Sequence, residues 1–107
     1  MSNAQVVDDR QRERYEILLG GEVAGYAQYR RGLYAISFRH TVIEERFEGR
    51  GLATTLIGHA LDAARDEGLG VLPFCPFVRA YIVRHPDPYL DLVPENRREQ
   101  FSLPAAG

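Results

Sequence analysis

The chain is predicted to fold as a mixed α/β domain, with three antiparallel strands followed by a strand–helix–strand crossover and a short second helix. Three observations predict it. The first third of the sequence alternates with period two, residues 52–64 carry apolar side chains at three- and four-residue intervals, and a short apolar run follows that stripe.

From Arg14 to Leu19, Tyr15, Ile17 and Leu19 alternate against Arg14, Glu16 and Leu18, the pattern of a half-buried strand. Gly20-Gly21 supplies the positive φ values of a tight hairpin. Val23 to Arg30 holds Val23, Tyr26 and Tyr29 among small residues and reads as a second strand, closed by a turn at Arg31-Gly32. Leu33 to about Phe47 reads as a third, longer strand. On strict alternation Tyr34, Ile36, Phe38, His40 and Val42 share one face of it, and Ala35, Ser37, Arg39 and Thr41 share the other.

Leu52, Ala53, Leu56, Ile57, Ala60, Leu61 and Ala64 form one stripe of an amphipathic helix that stops at Gly68. Leu69 to Phe74 is then a buried strand parallel to the third, reached by a right-handed crossover. Pro76 suits the first turn of a second helix, with Phe77, Tyr81 and Ile82 buried and Pro86 as its stop. Residues 9–93 are therefore expected to form the domain. Residues 1–8 are expected to be a tag remnant and disordered, and 94–107 a frayed C-terminal tail.

With 45% hydrophobic and 26% charged residues, the composition is that of a soluble globular protein. A net charge of −2 offers no general attraction for nucleic acid, and no apolar run is long enough to span a bilayer. Asp8 and Asp9 stand where a secretory signal would be apolar, so a cytoplasmic protein, monomeric or weakly dimeric, is expected. Cys75 is the single cysteine and has no internal disulfide partner. It is a buried thiol, a reactive one, or an intermolecular partner. His40, His59 and His85 are too scattered for a zinc site.

Between the third strand and the helix lies Glu48-Gly49-Arg50-Gly51-Leu52-Ala53. Two glycines let backbone N–H groups turn toward one point where a helix N-terminus adds unpaired donors and a positive dipole end. Such a corner cradles a pyrophosphate; without a ligand it is a glycine-rich turn. The motif resembles the signature of the GNAT acyltransferase superfamily, Gln/Arg-x-x-Gly-x-Gly/Ala. Further likeness lies in His40 to Ile43, Phe47 to Leu56 and Pro73 to Pro86, which resemble a small single-domain GNAT-like family with a Cys-Pro step after its last strand.

The resemblance implies an acetyl-CoA-binding domain that transfers acetyl groups to an unidentified amine, with the cosubstrate between two splayed parallel strands. Gly49, Arg50, Gly51, Leu52, Ala53 and Thr54 would hold the phosphates, and Val42 and Ile43 would pair with the pantetheine arm. Pro76 and Tyr81 would complete the binding region. Glu48 departs from the signature, and its charge would oppose a pyrophosphate, so it is expected to point away.

Acetyl transfer also needs a route for the amine proton and an acid for the departing thiolate. Cys75, as the expected cap of the second helix, is a candidate nucleophile or else a small buried hydrophobe. His40 is a candidate base or a buried histidine satisfied by one hydrogen bond. Tyr81 is a candidate acid or a packing residue. The acetyltransferase stands against a catalytically silent CoA-binding module and against a small α/β scaffold that binds partners and no cofactor.

Overall fold

Strands β1 (Ala4–Asp9), β2 (Arg14–Leu19), β3 (Glu22–Arg31), β4 (Ala35–Ile43) and β5 (Gly70–Pro73) form one sheet in that order, antiparallel except for the β4–β5 pair. The computed structural model describes residues 4–105. Helix α1 (Leu52–Asp66) makes the crossover from β4 to β5, and α2 (Pro76–Arg84) and α3 (Pro86–Tyr89) follow. The predicted fold class is the one observed.

The core lies on one face of the sheet. Tyr15, Ile17, Ala27, Tyr29, Ile36 and Phe38 meet Leu56, Ile57, Ala60, Leu61 and Ala64 of α1, all buried. The stripe read from the sequence is thus the face that α1 buries. Val78 and Ile82 of α2 join this core, whereas Phe77, expected inside, is 40% exposed.

Both ends of the described residues are more ordered than expected. Ala4–Asp9 pairs with β2 along its whole length, Val6 opposite Ile17 and Asp8 opposite Tyr15, so the expected disorder through residue 8 is corrected. Met1 to Asn3 lie outside the described residues. The tail beyond Pro94 forms 3₁₀ turns at Glu95–Arg97 and Glu99–Phe101, which bury Phe101 and Leu103. Arg98 is buried with them and donates from Nε to the Val93 carbonyl at 3.0 Å. A Cβ on Gly70 would meet Leu92 O and Pro94, on the face opposite the buried Val71. The C-terminal segment therefore covers the outer face at β5. Over β3 and β4 that face stays open, with Gln28, Arg30, His40 and Val42 exposed. No described helix is long and apolar enough to cross a membrane.

One polar network ties β1, β3 and the end of α1 together. The Tyr29 hydroxyl donates to Asp8 at 2.5 Å, and the Arg31 guanidinium reaches Tyr29, Asp8 and Glu67 at 2.9, 3.3 and 2.9 Å. Burial first, and donation to Asp8 second, push the Tyr29 hydroxyl up to about 12 from 10.0. The folded state then holds a proton that the unfolded chain has released, so stability falls as pH rises from 10 toward 12. Tyr29→Phe is expected to flatten that decline in denaturant titrations from neutral pH upward. An unchanged slope between pH 10 and 12 would remove Tyr29 as its source.

Candidate active site at the fork between β4 and β5

Between the pairs Gln28–His40 and Tyr29–Phe38, β4 carries one residue more than β3. The extra residue is Arg39, and the β-bulge it makes inverts the alternation of everything after it. Ile36 and Phe38 face α1; beyond the bulge Thr41 and Ile43 take over that side, and His40 and Val42 turn to the open face. The expectation that Phe38, His40 and Val42 share a face is corrected for this reason. His40 is exposed, so the buried-histidine alternative is corrected as well.

The parallel ladder runs only from Ala35–Gly70 to Phe38–Pro73, and the Cys75 N–H closes it by donating to the Phe38 carbonyl at 2.9 Å. Past that point the strands part. Cys75 stands at the crotch of this fork as N-cap of α2, 4% exposed, its Sγ 3.4 Å from the Thr41 hydroxyl. Its carbonyl accepts the Arg79 N–H at 3.0 Å.

After β4 the chain makes a 3₁₀ turn at Glu45–Phe47 and enters α1 through Gly49 at φ 81° and Gly51 at φ 72°. Positive φ at both positions is what glycine supplies cheaply. A Cβ at either glycine would meet nothing within 4 Å, so the corner is bordered by open space. No side chain caps α1, and the first-turn donors are left for something outside the helix.

Beside this corner lies a cleft of about 320 Å³ whose walls include Thr41, Ile43, Phe47, Gly51, Thr54 and Phe77. Of the predicted binding residues, Ile43, Gly49, Gly51, Leu52, Ala53 and Thr54 line it together. Arg50 does not; its guanidinium stands 5.7 Å from the Phe47 ring centroid. Val42 turns its side chain to the open face, so only its main chain borders the fork. Tyr81 lines a smaller neighbouring cleft of about 120 Å³ that shares Thr54 and Phe77 with the first. Its ring lies 4.6 Å from that of His85, at the end of α2. Pro76 occupies the first turn of α2, as expected.

Glu48 is exposed and borders the cleft at the glycine corner. Thr41 and Phe77, to which the sequence assigns no part in the site, line the cleft as well. The bulge hides Thr41 from a strict alternation, and apolar character alone sends Phe77 to the core.

Residues 14–92 match the sequence model of a family described as GCN5-related N-acetyl-transferase. The chain belongs to the GCN5-related N-acetyltransferase family. This GCN5-related chain is 29% identical over 93 residues to Protein NATD1 of Xenopus tropicalis, covering 84% of the chain and 85% of that protein. It is 30% identical over 90 residues to Protein NATD1 of Mus musculus, covering 81% and 82%. A solution structure of a GCN5-like putative N-acetyltransferase from Staphylococcus aureus superposes with a TM-score of 0.62 at 21% identity, over 88% of this chain and 91% of that one. The fold of the GCN5-related chain is therefore that of its family.

Proposed function

We propose that the chain is an acetyl-CoA-dependent N-acetyltransferase. The observation that carries the proposal is an uncapped, glycine-cornered helix start opening into a cleft that leads to the fork where Cys75 sits. The N–H groups from Gly49 to Thr54 would hold the pyrophosphate, supported by the helix dipole. The main chain of Val42 and Ile43 would pair with the pantetheine arm, because β4 has no described neighbour on that edge beyond the fork. Arg50, steadied over Phe47, would meet the phosphates from outside.

At the fork the Cys75 sulfur attacks the thioester carbonyl carbon, and the bond from that carbon to the CoA sulfur breaks. The Cys75 thiol proton ends on the CoA sulfur, with Tyr81 as the acid in that passage. The acceptor amine then attacks the acetyl carbon on Cys75. The carbon–sulfur bond breaks as the amide forms, and the amine proton returns to sulfur by way of His40. Thr41, the hydroxyl beside Sγ, orients the thiol. In this reading the cosubstrate lies on the α1 side of the sheet, and His40 serves the amine from the open side.

Melting with and without acetyl-CoA tests the binding step. At a hundred times its dissociation constant the ligand should stabilise the fold by about 2.7 kcal/mol, a shift of several degrees. Gly51→Val, which forces a β-branched residue into positive φ and puts a side chain in the corner, should abolish the shift. Absence of a shift in the unaltered protein at millimolar acetyl-CoA overturns the proposal. Glu48 in the cleft wall favours one second reading, a CoA-binding module without turnover. That reading predicts the melting shift but no thiol release with any amine.

A further inference from the structure

The open face of the sheet carries a cationic patch beside the fork. Arg30, Arg39, His40 and Gln28 line a shallow depression of about 390 Å³ there, with Glu13 as the one carboxylate among its lining residues. Arg30 and Arg39 form no ion pair among the described residues. Arg14, on the neighbouring strand, is by contrast held by Glu16 at 2.8 Å. The Arg39 guanidinium lies 5.4 Å from the Phe74 ring centroid, which places it at the fork itself, since Phe74 directly precedes Cys75.

We propose that this patch receives the acceptor, and that the acceptor is a peptide segment with acidic side chains flanking the amine. The proposal rests on the acyl-transfer reading and adds to it the class of substrate. The cosubstrate cleft occupies the α1 side, so a second reactant reaches the fork from the face that α1 does not cover. That face is flat and open over β3 and β4, a surface suited to an extended chain more than to an enclosed small molecule.

Its unpaired guanidinium groups complement carboxylates, which gives both orientation and faster encounter. They also act on the reaction. Acetyl transfer needs a neutral amine, and a neighbouring guanidinium disfavours the ammonium form. Acidic neighbours on the peptide hold it to the patch by pairing with the guanidinium groups, and in doing so weaken that effect on the amine.

Three labelled peptides test the idea, each with a central lysine flanked by Glu and Asp, by Gln and Asn, or by Arg. Titrated at low salt and followed by fluorescence anisotropy, the acidic peptide should bind about tenfold more tightly than the neutral one, and added salt should erode the difference. Arg30→Glu combined with Arg39→Glu should abolish or reverse the preference while leaving the acetyl-CoA melting shift intact. Equal binding of acidic and neutral peptides overturns the proposal, as does a preference that survives the double charge reversal. A single-stranded oligonucleotide that binds as tightly as the acidic peptide overturns the choice of a peptide. Binding is read without turnover, so a missing acetyl-CoA shift counts against the transferase and leaves the peptide result to stand alone.

Discussion

Gly25→Val is expected to lower the stability of the domain by about 3 kcal/mol, the upper end for overpacking a well-filled site. Gly25 is opposite Ile43 in the β3–β4 ladder and is buried. A Cβ built there would fall 2.6 Å from Ile43 Cδ1 and 3.0 Å from Ile43 Cα, and closer still to the Val42 carbonyl oxygen. Side-chain adjustment cannot relieve a collision with main chain, so β4 itself must move. The part of β4 that moves is Val42–Ile43, the edge proposed to pair with the cosubstrate. The variant should therefore lose the acetyl-CoA melting shift along with its stability, and denaturant unfolding in parallel with ligand melts checks both. A cost under about 1 kcal/mol would mean that β4 yields freely at this point.

Cys75→Ala should reduce acetyl-CoA-dependent thiol release by roughly 10²- to 10⁴-fold, the range lost with an acid–base or nucleophilic group. The substitution removes little volume, so the fold should survive and the acetyl-CoA melting shift should persist. All 13 basic residues other than histidine are arginine, and the chain contains no lysine. Incubation with acetyl-CoA alone thus cannot acetylate an ε-amine of the enzyme. A gain of one acetyl group by mass, reversed by hydroxylamine and absent in Cys75→Ala, would report the thioester on Cys75. Unchanged turnover in Cys75→Ala overturns the sulfur's role and leaves the amine to attack acetyl-CoA directly.

Elements governed by local periodicity are legible in the residues alone. The β2–β3 hairpin turns at Gly20–Gly21, β2 runs from Arg14 to Leu19 as its alternation requires, and α1 buries the stripe from Leu52 to Ala64. The glycine corner is legible for the same reason: its conformation is written in two residue types at the start of a recognisable helix.

What stays hidden depends on partners distant in sequence. β1 ends in Asp8-Asp9, which reads as solvated chain until Tyr29 and Arg31 arrive from β3 to satisfy Asp8. The tail is polar, yet Phe101 packs edge-on against Phe74 with ring centroids 5.0 Å apart, and Arg98 finds the Val93 carbonyl. The bulge at Arg39 exists only in the register between two strands, so no inspection of β4 alone reveals it. Without it, alternation puts His40 on the wrong face and conceals Thr41.

The bulge gives the length of β4 a meaning of its own. Flattening the bulge with Arg39 kept in the ladder would roll the end of the strand over, bringing His40 and Val42 beneath the helix and expelling Thr41 from beside the sulfur. Deletion of Arg39 would straighten the strand and leave the chamber lined as it is, because Phe38 would lead directly to His40.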